Sequence, residues 1–179
     1  MAIIDGFLSS AVQLASSHFN HRPVGEEISL LVIHNISLPP GQFGGKYIED
    51  FFLGQLDTSA HASFVDISNL RVSAHLVIKR DGEVIQFVNF NRRAWHAGVS
   101  SFSGRENCND FSIGVELEGT DDIEYTDFQY QQLTDITKQL ISTYPNITKD
   151  KICGHSDIAP DRKTDPGDSF DWSRYKQSL

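Results

Sequence analysis

Two rhythms of apolar positions run through the chain, one alternating or nearly continuous, the other at helical spacing, and together they mark out a small set of elements. Residues 28–35, ISLLVIHN, are almost continuously apolar and rich in branched side chains, which predicts a strand covered on both faces and ending at His34. After the turn-forming LPPGQFGG, Ile48, Phe51, Phe52 and Leu56 return at helical spacing, so a helix is expected to cover one face of that strand. VSAHLVIKRDGEVIQFV, residues 72–88, alternates around Asp81-Gly82, a dipeptide suited to the positive backbone angles of a two-residue turn, and predicts an antiparallel hairpin.

FSIGVELEG, residues 111–119, predicts another strand, with Phe111, Ile113, Val115 and Leu117 on one face and Ser112, Gly114 and Glu116 on the other. Glu116 then stands over small neighbours, where a ligand can approach. Thr126 and Gln129 have capping-box spacing and open a helix that carries Leu133, Ile136, Leu140, Ile141 and Tyr144 on one face, with Pro145 after its end. KICG predicts a short strand delivering His155, and DWSRYKQSL a terminal helix packed through Trp172 and Tyr175. The sum is α/β: a single domain over residues 1–179, with a mixed central sheet flanked by helices.

Composition narrows the function classes. A chain of 179 residues buries a core without disulfide or metal staples. Its net charge of −9 argues against capture of nucleic acid or an anionic membrane, since phosphate binding needs clustered Lys and Arg. Two cysteines, Cys108 and Cys153, read most simply as buried, reduced thiols of a cytosolic protein. The N-terminal stretch lacks a positive start and is interrupted by Asp5, so no signal peptide is expected, and no apolar run approaches the ~20 residues of a membrane span.

The candidate chemistry lies at strand ends. His34 and His155 each follow a predicted buried strand, where open sheets place ligands. GHSDIAPDRKTDPG, residues 154–167, reads as turns rather than helix or core strand, and it adds Lys163 and Asp165, the latter held extended by Pro166. Two imidazoles and a carboxylate leave a fourth tetrahedral position open, the arrangement of catalytic zinc. Glu116 is the candidate proton shuttle and Lys163 the candidate partner for an oxyanion; as alternatives, the one is a strand-end surface glutamate and the other a solvated lysine. In the long 92–112 segment Trp95 is placed to stack on a sugar ring or to fill the core. Arg71 and Arg105 suit peptide carboxylates or plain surface. His75 and His96 read as hydrogen-bonded structural histidines.

LLVIHNISLPPGQFGG, RAWHAGVSSFSGRENCNDFSIGVELEGTD and GHSDIAPDRKTDPG, in that order, closely resemble the cytosolic anhydromuramyl-L-alanine amidases within the superfamily of zinc amidases and peptidoglycan recognition proteins. The resemblance covers almost the whole chain. It implies one zinc ion per chain held by His34, His155 and Asp165, with Glu116 as general base and Lys163 steadying the tetrahedral intermediate. It also implies pocket roles for Asn35, Arg71, Trp95 and Arg105. The implied substrate is a small muropeptide cut between anhydro-N-acetylmuramic acid and L-alanine during peptidoglycan recycling, by a cytoplasmic monomer whose action limits β-lactamase induction. Many superfamily members have a cysteine where this chain has Asp165, a departure expected of the cytosolic subgroup. Asn107 stands where a basic residue is expected in close relatives.

Overall fold

The computed structural model describes residues 1–179. In chain order the elements begin with β1 (Ile3–Ile4), β2 (Phe7–Leu8), β3 (Val12–Gln13), β4 (Phe19–His21), β5 (Leu30–Ile36) and α1 (Tyr47–Phe52). Then come β6 (Leu76–Ile78), β7 (Val84–Gln86), β8 (Arg92–Ala94), β9 (Ser101–Phe102), β10 (Arg105–Glu106) and β11 (Ser112–Glu118). The chain closes with α2 (Asp127–Thr143), β12 (Ile152–Gly154), α3 (His155–Ile158) and α4 (Trp172–Ser178).

Six strands form one mixed sheet in the order β12-β5-β11-β6-β7-β3. Strands β12, β5, β11 and β6 run parallel, β7 returns antiparallel to β6, and β3 lies parallel to β7 at the edge. The expected strands at 28–35 and 111–119 are the neighbours β5 and β11. Leu31 and Ile33 of β5, with Ile113, Val115 and Leu117 of β11, meet Leu133, Ile136 and Leu140 of α2 and Tyr175 of α4 on one face. On the other face Leu30 and Val32 pack with Ala97, Cys108, Phe111 and Ile158. Helix α1 covers the sheet further along, through Ile48, Phe51 and Phe52 against Val77 and Ile85.

Helix α2 starts as its sequence predicts: Thr126 Oγ1 accepts the Gln129 N–H and Gln129 Oε1 accepts the Thr126 N–H, closing a capping box. Four expectations change. Phe111 precedes β11, ending the turn at 108–110, and packs on the face of Leu30 and Val32 rather than beside Ile113. Helix α1 stops before Leu56, because Gly54 takes a left-handed φ of +72° just beyond it. The β6–β7 turn centres on Arg80-Asp81 and not Asp81-Gly82. There the Gly82 N–H donates to the Lys79 carbonyl and Gly82, at φ +89°, forms the left-handed step into β7. The 154–167 segment is not turn throughout, since residues 155–158 form the single helical turn α3, with Asp157 Oδ2 accepting the Gly154 N–H. Cys108 and Cys153 are free and buried, and burial pushes the Cys153 thiol up to about 12.

Candidate functional site

Strand register assembles the site. Glu116 on β11 pairs with His34 on β5, and Gly154 on β12 pairs with Ile33, so His155, His34 and Glu116 stand side by side at the carboxyl ends of three adjacent parallel strands. His34 continues the face of Leu30 and Val32, and Glu116 the face of Ser112 and Gly114, which is the side of the sheet away from α2. Asp165 is brought back to them by the loop after α3, where its carbonyl accepts the Ser156 N–H. Asp121 ties that loop down by accepting from Thr164 Oγ1 and Asn35 Nδ2, while the Pro166 carbonyl accepts from Asn35 Nδ2 and the Tyr125 hydroxyl. The Asp165–Pro166 peptide is cis.

Three donor atoms converge. His34 Nδ1 lies 3.0 Å from His155 Nδ1, and both lie 3.1 Å from Asp165 Oδ2. His155 Nε2 donates to the Ala97 carbonyl at 3.0 Å, which leaves its Nδ1 as a bare lone pair. At least two acceptors therefore face each other with no more than one proton available between them. Ligands about 2.0 Å from a tetrahedral ion are separated by about 3.3 Å, close to what this triangle presents. The donor set, two imidazoles and a carboxylate, fits zinc with one position left open.

The charges favour the same state. Burial, against a hydrogen bond to Asp165, lowers the pKa of His34 to about 4, so its ring is a neutral ligand at pH 7. Burial opposes ionisation of Asp165, but its contacts with the His155 and His34 imidazoles outweigh it and hold the carboxyl well below the usual carboxylate range. Glu116 moves the other way: burial first, then the nearby Asp165 charge, push it well above that range, with Lys163 pulling it back. Its Oε2 is buried and has no hydrogen-bond partner. Such an oxygen costs about 1–3 kcal/mol in the free protein, a cost that an arriving donor removes.

These groups line a cleft of about 260 Å³, together with Lys163, Asn35 and Trp95. Trp95 is half-buried, stacked on His18 with its indole N–H donating to Asn20 Oδ1 at 2.8 Å. Arg71 is exposed between the cleft-lining Leu70 and Val72, and its guanidinium folds back on the Ser68 and Leu70 carbonyls. Arg105 is not brought to the cleft. It pairs with Glu26, stacks on Phe111 and donates to Ser29 Oγ, roughly 16 Å along the strand direction from His34 at ~3.3 Å per residue. There it lines a separate groove of about 590 Å³. Asn107, with a left-handed φ of 58°, caps the turn before Phe111.

Sequence reading passed over several contributors. One cleft wall is apolar, from Ile36, Leu38, Phe51, Phe52 and Ile67, which periodicity marks as core. Arg162 donates to the Ala97 and Val99 carbonyls, bracing the segment that supports His155. His96, read from sequence as structural, touches His34 directly, with Nδ1 2.9 Å from His34 Nε2. The available signal was Gly114, a small residue left open beneath the His96 ring.

Comparison with known proteins agrees with this geometry. The family described as N-acetylmuramoyl-L-alanine amidase matches residues 24–168. The 1,6-anhydro-N-acetylmuramyl-L-alanine amidase AmpD of Escherichia coli K12 is 57% identical over 176 residues, covering 98% of this chain and 96% of that protein. A crystal structure of a selenomethionine derivative of AmpD superposes with a TM-score of 0.98 at 56% identity, covering 100% of this chain and 99% of that one. The amidase AmiD of E. coli, solved with the substrate anhydro-N-acetylmuramic acid-L-Ala-D-γ-Glu-L-Lys, superposes with a TM-score of 0.62 at 27% identity, covering 88% of this chain and 60% of that one.

Proposed function

The chain belongs to the N-acetylmuramoyl-L-alanine amidase family, and from that premise we propose that it is a zinc-dependent hydrolase of small muropeptides, cutting the amide between 1,6-anhydro-N-acetylmuramic acid and L-alanine. The observation that carries this reading is the convergence of the His34, His155 and Asp165 donors beside the unpartnered Glu116 oxygen in one cleft. We further place it in peptidoglycan recycling in the cytoplasm, as a monomer, where it removes muropeptides that would otherwise induce β-lactamase. The resemblance supports that setting, and no helix of the molecule is long and apolar enough to cross a membrane.

His34, His155 and Asp165 would hold the zinc, which when bound lowers the pKa of water to ~7 and polarises a carbonyl. Glu116 takes the proton of the attacking water on a carboxylate oxygen and returns it to the departing alanine nitrogen, so the C–N bond breaks with a neutral amine leaving. Lys163, half-buried at the cleft, would supply an ammonium to the amide oxygen as it gains negative charge. Trp95, buttressed by His18 and Asn20, would offer an aromatic face to the sugar in a cleft that also has an apolar wall.

The test incubates purified protein with anhydromuramyl tripeptide and, separately, with insoluble peptidoglycan, each with chelator and with zinc restored, and follows products by chromatography. Chelator-sensitive release of tripeptide from the small substrate alone is expected. Solubilisation of the polymer would make it a wall-degrading amidase, and no cleavage of either would make it a binding module.

A further inference from the structure

One dipeptide lies behind both ligand imidazoles. The Ala97 carbonyl accepts from His155 Nε2 at 3.0 Å, and His96 Nδ1 faces His34 Nε2 at 2.9 Å. Asn109 Oδ1 pins this dipeptide by accepting the N–H of His96 at 3.1 Å and of Ala97 at 2.8 Å. The His96 ring is buried, stands edge-on to His34 with centroids 5.0 Å apart, and places Nε2 3.1 Å from Ser112 Oγ. A methyl group at Gly114 would overlap that ring. The cleft face of β11 thus supplies a hydroxyl at 112, a vacancy at 114 and the carboxylate at 116.

The direction of the hydrogen bonds follows from the ligand role of His34. A neutral imidazole that offers Nδ1 to a metal carries its proton on Nε2, and a buried N–H needs an acceptor. The atom facing His34 Nε2 is His96 Nδ1, so His96 accepts there and carries its own proton on Nε2, aimed at Ser112 Oγ. We propose that His96 is a positioning residue for His34: through the chain His34–His96–Ser112 it fixes the tautomer and ring angle that present Nδ1, and so sets the affinity of the site for zinc. This rests on the zinc reading of His34, His155 and Asp165.

Zinc affinity measured by chelator competition on the purified chain, His96→Leu and His96→Asn tests it, together with the imidazole nitrogen resonances of the zinc-loaded parent. Leucine, which fills space without accepting, is expected to weaken zinc by about 10–100-fold, while asparagine, whose Oδ1 falls near the Nδ1 position, restores most of the loss. The resonances are expected to show both His34 and His96 protonated on Nε2. Unchanged affinity in His96→Leu, or asparagine no better than leucine, overturns the proposal. So does a parent in which His96 carries its proton on Nδ1, a result that stands even where the variants do not fold. A parent that binds no zinc at all overturns the metal reading itself, and this inference with it.

Discussion

Glu116 and Asp165 are both carboxyls in one cleft, yet their surroundings drive them apart, the first toward the protonated form and the second toward the carboxylate. That split is what a proton shuttle beside a ligand requires. Glu116→Gln keeps the shape while removing the basic oxygen, so turnover is expected to fall by about 10²–10⁴ with zinc content unchanged; retained turnover would remove Glu116 from the proposed mechanism. Lys163→Ala is expected to lower kcat by roughly 10²–10³ with little change in KM, and an effect confined to KM would make it a substrate contact only. His34 and Glu116 were legible in the sequence because strand rhythm fixes where each side chain points, and His155 because it directly follows the short strand β12. Arg71 and Arg105 were not, since they sit on surface loops and a short edge hairpin whose side chains no periodicity orients. His96 escaped because its partner is 62 residues away in the chain and nothing local announces it.

Helix α2 was readable from its first residue because capping and amphipathic spacing are local, whereas what its first turn does for the sheet is not. Gln129 is wholly buried, and beyond the cap its Nε2 donates to the carbonyls of Ile78 on β6 and Glu118 on β11. It stitches the carboxyl ends of two strands beside the cleft. Thr126→Ala removes a cap and is expected to cost about 1 kcal/mol in denaturant unfolding. Gln129→Ala strips the other half of the box and leaves two strand-end carbonyls without their donor, so it is expected to cost more, about 2–3 kcal/mol. Equal losses in the two variants would mean that Gln129 serves the cap alone. By contrast β1–β4 span two or three residues each and carry no pattern of their own. β3 and β4 exist because partners far along the chain, β7 and β8, pair with them, whereas β1 and β2 pair with each other around the left-handed Asp5-Gly6 turn.

The whole sheet was legible as a mixed α/β arrangement from its buried strands, but not the cost of crowding imidazoles at one end of it. His75, His96 and His34 are all buried there, with His75 held between the Gly114 N–H on Nδ1 and the Arg92 carbonyl on Nε2. Both His75 nitrogens are satisfied only in the neutral ring, and burial, with Arg22 adding to it, lowers its pKa to about 3. An unfolded histidine takes a proton near pH 6.5, so below that pH the unfolded chain binds a proton that the native one refuses, and stability falls as pH falls until the native ring also titrates near pH 3. At pH 5 His75 alone accounts for about 2 kcal/mol, and the depressed pKa values of His96 and His34 act in the same direction. For a chain of this size that is a fall of about 4–8 °C in Tm between pH 7 and pH 5 from His75, with the other two rings deepening it. Measured on metal-free protein carrying Glu116→Gln, so that neither zinc release nor the opposing, raised titration of Glu116 is mixed in, a Tm unchanged across that interval would show that these rings accept protons inside the fold.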